Sequence, residues 1–457
     1  MATLEKLSAH CRVEVDTSIT SAAKAHGVPI PDNPTNEDSV GILAVKFLSR
    51  LATILGATLP DFIRLVRGQT TDDPRPNKDL YELRKPLSPE LAEVWSRWNE
   101  VARDDVVPEW LPERPQRQRQ RPRNHGSIDE HLDQVRRHIR KGQHDGRYLV
   151  VQASLADQWP EVFISPIGVV EKAGTDPPDI RIINDYSYPE GASVNDYTDR
   201  SHFPEISYNP PADIARRIAT PRSKHPLERI LLMLGDVAGA FRHVYVHADH
   251  ARMFTFIIDD MLVVDLACGF GWCGSPAWYY LPGALINELY QWSHPPLPVP
   301  VSIPIPRHGS FWCDDHSCIE LDIGSRCFVA NLALRRAMAT ILGPSAINER
   351  KFTTWSVTGR ALGLDLNTQQ GTLWQDGQGS AACGWTDHGW FSDKTIDLKS
   401  VGQSSPYHDV LSTSSSLFSA AAGCCLFTWP IRSSPLSRYG ARRFAVIRLD
   451  LGQRGQI

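Results

Sequence analysis

The chain has 457 residues, 42% of them hydrophobic, which gives room for two or three domains with ample cores. Its formal net charge of −4 excludes a global electrostatic attraction to nucleic acid, although a local basic channel remains open. The nine cysteines lack zinc-site spacing, Met1 to Lys6 lacks a secretory apolar core, and no stretch approaches the roughly 20 apolar residues of a membrane span, so the expected setting is intracellular, in cytoplasm or nucleus.

Residues 1–110 read as helical. Helical periodicity runs from Val40 to Leu55, with Gly56 placed to end that helix, and a second short helix is expected over Pro60 to Val66. Asp16-Thr17-Ser18 lacks the glycine of an aspartic-protease loop, and no other catalytic motif stands here. The region is either a remnant of an upstream polyprotein segment or a nucleic-acid-binding or assembly module. Residues 111–127 follow as an Arg/Pro-rich linker carrying Arg114, Arg117, Arg119, Arg121 and Arg123. It reads equally as a flexible cationic segment touching nucleic-acid phosphates and as a solvated tether. Ser127-Ile128-Asp129-Glu130 then has the pattern of a capping box for a helix whose face is Ile128, Leu132, Val135 and Ile139.

Ser165-Pro166 precedes a hairpin-like pair of segments, Ile167 to Lys172 and Arg181 to Asp185. The apolar run Ile230 to Leu234 predicts a buried strand ending at Asp236. Alternation from Phe241 to His247 suggests a further strand, with His243, His247 and His250 on a solvated face rather than around a metal. A glycine turn at Gly271 and Gly274 leads to Ser275 as a helix cap and Pro276 in the first turn. The helix itself is expected over Ala277 to Trp292, with a kink at Pro282. After the proline-rich stretch Pro295 to Pro300, Phe311-Trp312-Cys313 runs into Asp314 and Asp315, as in a hairpin with acids at its tip. Gly324 to Leu342 predicts an amphipathic helix.

Carboxylates at two strand ends can meet on one sheet edge, and Asp236, Asp314 and Asp315 then offer an oxygen-ligand set for two Mg²⁺ ions. Taken singly, the Asp-Asp pair reads as a solvated turn. The three blocks around Asp236, around Gly271 to Ala277 and around Asp314-Asp315, in this order, resemble motifs A, B and C of reverse transcriptases. The resemblance covers roughly 250 residues and fits the long-terminal-repeat or tyrosine-recombinase retrotransposons.

That resemblance implies an RNA-directed DNA polymerase (a nucleotidyltransferase) of α+β class, with fingers and a palm whose antiparallel sheet is backed by helices, over residues 128–375. It implies Asp236, Asp314 and Asp315 as catalytic metal ligands for Mg²⁺, or Mn²⁺ in its place. Lys172 and Arg181 match the fingers residues that hold the triphosphate, one as a point charge and one as a planar fork. Phe241 matches the aromatic residue under the sugar, which collides with a 2′-hydroxyl and so favours dNTPs; as a residue alone it reads equally as a core aromatic. Gly271 matches the turn that lets backbone approach the nucleotide, and Lys351, in Asn348-Glu349-Arg350-Lys351, matches a lysine near the leaving pyrophosphate. Ala361-Leu362-Gly363-Leu364 resembles the primer-grip turn. The implied partners are an RNA or DNA template with primer, and dNTPs.

The resemblance fails after about residue 375. Residues 380–457 are Ser-, Gly- and Cys-rich with little helical periodicity, so 376–457 reads as a degenerate or truncated thumb, and the absence of any Glu after Glu349 argues against an RNase H domain. Two alternatives stand beside the polymerase reading. One is a catalytically inactive retroelement-derived nucleic-acid-binding protein; the other is an RNA-dependent RNA polymerase, which Phe241 disfavours.

Overall fold

The computed structural model describes residues 2–31, 37–84, 88–171, 179–293, 307–362, 364–370, 372–375, 383–386 and 389–392. Within them the protein is a mixed α+β structure of ten helices and small antiparallel sheets. The chain begins with α1 (Ala2–Ala25), α2 (Glu37–Leu55), α3 (Leu59–Val66) and α4 (Ala92–Asp104). Gly56, at φ +57°, takes the left-handed conformation that stops α2. Thr58 then caps α3 by accepting from the Asp61 N–H at 3.3 Å, and Pro60 fits its first turn.

Next come α5 (Leu132–His144), β1 (Tyr148–Gln152), the short α6 (Leu155–Gln158), and the hairpin strands β2 (Ile167–Glu171) and β3 (Ile180–Asn184). After α7 (Val194–Tyr197) and α8 (Pro211–Lys224) the chain forms β4 (Ile230–Asp236), β5 (Thr255–Ile258) and β6 (Met261–Asp265). It continues through α9 (Ser275–Trp292), β7 (His308–Trp312), β8 (Asp315–Leu321) and α10 (Arg326–Leu342). The last strands are β9 (Thr358–Ala361), β10 (Leu364–Asn367), β11 (Thr372–Gln375), β12 (Cys383–Thr386) and β13 (Gly389–Ser392).

The sheet that matters most has the order β4-β8-β7. Both of its faces are buried, which is why Ile230 to Leu234 reads as an unbroken apolar run rather than an alternating one. Met233, Cys318 and Phe311 pack with Leu281 and Leu285 of α9 and Leu334 and Met338 of α10. On the other face Ile230, Leu232, Ile319 and Leu321 pack with Ile214 and Ile218 of α8 and with Leu364 and Leu366 of β10.

A second sheet, β1-β6-β5, is also covered on both sides. Leu149, Val151, Leu262 and Val264 share a core with Leu51, Leu59, Phe62 and Ile63, so the N-terminal helices form a layer on this sheet. Val150, Val263 and Phe256 face Val135 and Ile139 of α5 and Ile167 and Ile182 of the β2–β3 hairpin. The layer is locked by a buried ion pair between Arg67 and Asp105 at 2.9 Å; Arg67 also donates to the Val246 and Leu266 carbonyls.

Several local expectations give way to tertiary demands. Ser127 caps no helix: its hydroxyl accepts from the Val169 N–H at 3.0 Å, residues Gly126–His131 are a 3₁₀ turn, and α5 starts at Leu132. Ser275 does not cap α9 either, since its hydroxyl donates to the Gly269 carbonyl at 2.7 Å. The alternation from Phe241 is not a solvated strand, because Ala240–His243 is a 3₁₀ turn with His243 buried and bonded to the Ala238 carbonyl. The segment 111–127 is no loose tether, being held to the core by Gln118 and Asn124. Residues beyond β11, apart from β12 and β13, lie outside the described residues, as does Lys172. No helix among the described residues is long and apolar enough to cross a membrane.

Candidate active site

Asp236 is the last residue of β4, and in the antiparallel ladder it stands directly opposite Asp315, the first residue of β8. Opposed residues in such a ladder lie about 4.5–5.5 Å apart at Cα. The two carboxylates are therefore neighbours despite the sequence between them. Cys313 and Asp314 make the β7–β8 turn, with Cys313 at φ +53°, a conformation that costs a non-glycine residue roughly 1–2 kcal/mol. The turn is clamped by the Val237 N–H, which donates to the Asp314 carbonyl at 3.0 Å. From below, α9 approaches through Gly283, where an added Cβ would lie 3.1 Å from the Phe311 ring and 3.5 Å from the Cys313 carbonyl. The helix runs through Pro282 at this contact, so the Pro-Gly pair sits where α9 meets the hairpin tip.

Asp236 is nearly fully buried, and both of its carboxylate oxygens accept hydrogen bonds. Asn348 Nδ2 donates to Oδ1 and Lys351 Nζ to Oδ2, each at 2.6 Å. The segment holding these two residues runs alongside the end of β4, through an Ala238 N–H to Ala346 carbonyl bond and a bridge between Val237 and Ile347. Burial opposes the Lys351 charge, but the Asp236 hydrogen bond and the three nearby carboxylates outweigh it and raise its pKa. Burial, then the charge of Asp236, raises the Asp314 pKa. Burial, then Asp314 and Asp236, pushes Asp315 up to about 7.

Phe241 reaches the glycine turn next to this cluster through Phe270, the chain neighbour of Gly271. The Phe241 ring packs on Phe270 at 5.1 Å and on Tyr279 at 5.5 Å between centroids. Tyr279 is buried, its hydroxyl has no hydrogen-bond partner among the described residues, and Asp314 and Asp236 are among the charges acting on it. It thus links the aromatic group to the carboxylates. Gly271, at φ +111°, lies so close to β3 that an added Cβ would be 2.2 Å from the Asn184 carbonyl oxygen. Asn195 fixes the same turn, donating to the Gly271 carbonyl and accepting from the Cys273 N–H, both at 2.9 Å. Arg242, beside Phe241, is anchored by a buried ion pair with Asp265 at 2.7 Å.

The structure thus brings together Asp236, Asp314, Asp315 and Lys351, and sets Phe241 against Phe270 beside Gly271, with Tyr279 between Phe241 and the carboxylates. Arg181 lies in the β2–β3 sheet, exposed and opposite Val170. Asn348 and Tyr279 are the members of the site whose roles sequence reasoning missed. Asn348 was visible only as the start of the segment that ends at Lys351, and Tyr279 is an ordinary helix aromatic until the fold shows what it faces.

Three carboxylates supply the hard oxygen donors that Mg²⁺ takes. Yet among the described residues no group of three or more His, Cys, Asp or Glu side chains is arranged as a ready metal site. The Lys351 ammonium sits against Asp236 where a cation would sit, so the donor chemistry fits while the side chains would have to rearrange. No protein-family profile matches the sequence, and no curated protein matches it significantly.

Proposed function

We propose that the chain is the reverse-transcriptase domain of a retroelement, an RNA-directed DNA polymerase that adds dNMP to a primer 3′-hydroxyl. Its fingers and palm would span residues 128–375. The observation that carries this reading is the pairing of Asp236 with Asp315 across β4 and β8, with Asp314 in the adjoining turn. Asp236, Asp314 and Asp315 would hold two Mg²⁺ ions, or Mn²⁺ in their place. Such ions, when bound, neutralise charge on the attacking and leaving oxygens of the phosphoryl transfer.

The remaining roles belong to the chain's own residues. Asn348 fixes the rotamer of Asp236. Lys351 stays protonated beside the carboxylates, as a proton donor to the leaving pyrophosphate requires. Phe241, held by Phe270 and Tyr279, presents a ring to the sugar and excludes a 2′-hydroxyl. The glycine at position 271 leaves backbone exposed at the turn, and Arg181, with Lys172, would grip the triphosphate.

One observation favours the inactive, nucleic-acid-binding reading: both oxygens of Asp236 are already bonded, to Asn348 and Lys351. Primer extension with dNTPs and rNTPs offered separately tests the proposal. Extension with dNTPs and little with rNTPs is expected. Preferred use of rNTPs would indicate an RNA polymerase instead, and binding of template–primer without extension would indicate the inactive descendant.

A further inference from the structure

The arginines of the 111–127 segment take no part in the chemistry described above, and the fold treats them in an orderly way. Arg117, Arg119, Arg121 and Arg123 are exposed, while Gln118, Pro122 and Asn124 between and after them are half-buried. The Gln118 amide bonds Ile164 twice, donating to its carbonyl at 2.8 Å and accepting from its N–H at 2.9 Å. Asn124 donates to the Ile257 carbonyl at 2.7 Å and accepts from the Ile167 N–H at 3.1 Å. The His125 N–H then reaches the Ile167 carbonyl at 3.0 Å. Side-chain amides and one backbone bond thus fasten this segment at Ile164, at Ile257 of β5 and at Ile167, the first residue of β2.

What remains outward is a row of charge. No Asp or Glu occurs from Arg114 to Ile128, and none of the four arginines makes an ion pair with a described residue. Arg114, at the start of the row, is partly sunk over the Trp110 ring, and burial followed by the charge of Arg252 lowers its pKa. Four guanidinium groups without an ion pair among the described residues follow at every second position of an anchored segment, in spite of their mutual repulsion. A solvated tether has no need of such anchoring, whereas a preorganised site for repeated anions does.

We infer that Arg117, Arg119, Arg121 and Arg123 form a binding strip for the phosphodiester backbone of a single-stranded nucleic acid. Guanidinium forks match phosphate oxygens in pairs, and the contacts carry no base information, so binding is independent of sequence. A single row tracks one backbone; a duplex would present two. The strip lies beside the hairpin that bears Arg181, so a strand held there runs past the fingers side of the proposed polymerase. The binding claim itself stands whether or not the protein turns over.

The test is fluorescence anisotropy of the full chain with a labelled 20-nucleotide oligo(rA), titrated at salt concentrations from 50 to 200 mM. The quadruple variant Arg117→Gln, Arg119→Gln, Arg121→Gln, Arg123→Gln is compared with wild type, with far-UV circular dichroism melts confirming equal folding. Single-strand contacts contribute about 0.7 each to the slope of log K against log salt, so the variant should lose about 3 units of slope. Across that salt range wild type should therefore lose about 50-fold more affinity than the variant. The matching quadruple Lys variant should keep most of the slope, since charge rather than fold carries it. An unchanged slope in the Gln variant overturns the inference. So does a poly-Glu peptide of equal charge that competes as well as the oligonucleotide, because the strip would then favour acidic polymers of any kind.

Discussion

The turn at Gly271 offers a clean trial of the site's construction. Replacing Gly271 with Ala adds one methyl group whose carbon would lie 2.2 Å from the Asn184 carbonyl oxygen, well inside the 3.0 Å below which such contacts essentially never fall. The backbone also sits at φ +111°, which L-residues rarely adopt. Gly324 supplies an internal control, for it has φ +54° but nothing within 4 Å of an added Cβ. Gly324→Ala should cost only the conformational penalty, roughly 1 kcal/mol. Gly271→Ala adds overpacking against backbone that cannot rotate away, bringing the total to about 3–4 kcal/mol. Chemical denaturation of both variants beside wild type measures the difference. Because the same turn supports Phe270 under Phe241, Gly271→Ala should also weaken the preference for dNTPs over rNTPs. If the two substitutions cost the same, the turn is not docked on Asn184 and the argument for a fixed nucleotide-side wall fails.

Lys351→Met should remove about 1–2 kcal/mol of stability in metal-free buffer, as a charge-assisted hydrogen bond to Asp236 is lost. The same variant should bind Mn²⁺ more tightly, read as a larger rise in melting temperature on adding the ion; a smaller rise would mean that Lys351 does not compete for the site. His243 is buried and donates from Nε2 to the Ala238 carbonyl, and burial lowers its pKa to about 4. The folded protein therefore binds fewer protons than the unfolded chain between pH 6.5 and 4, and stability falls through that window by up to about 3 kcal/mol from this residue. His250 has the same sign, since burial lowers its pKa to about 4 and Nδ1 is held as the acceptor of Trp110 Nε1–H. Asp315, raised to about 7, acts with the opposite sign over the same window, so each histidine is read as the difference between wild type and His243→Asn or His250→Asn; differences that stay constant from pH 6.5 to 4 would contradict both. Arg67→Met should cost about 3–5 kcal/mol by leaving Asp105 buried and unpaired, while Arg67→Met with Asp105→Leu should recover most of it. Equal losses in both would show that the N-terminal layer does not depend on this pair.

How far the sequence reads depends on whether local pattern or distant partners decide each feature. The placement of Asp236 and the Asp314-Asp315 hairpin was legible because both flanking runs are buried on two faces and end in charge. Helix α2 and its stop at Gly56 were legible from periodicity and backbone chemistry alone. The hydroxyls of Ser127 and Ser275 were not, because each fits a cap by local pattern but is claimed by a group elsewhere, the Val169 N–H in one case and the Gly269 carbonyl in the other. The half-buried glutamine and asparagine that anchor the arginine segment look like ordinary polar linker residues until Ile164 and Ile167 come beside them. The same holds for Asn348, whose bond to Asp236 joins residues 112 positions apart. The helices of residues 1–110 were readable as helices, but nothing in their own pattern shows that they cover the β1-β6-β5 sheet.

We propose that Asp236, Asp314 and Asp315 form one catalytic centre for template-directed DNA synthesis. Primer extension on poly-rA with oligo-dT, dTTP and Mg²⁺ tests it most directly, comparing the intact chain with Asp314→Asn while template–primer binding is followed in parallel. Extension by wild type and its loss in the variant are expected, with binding retained in both. Extension that survives in Asp314→Asn, or none from folded wild type that still binds template–primer, would contradict it.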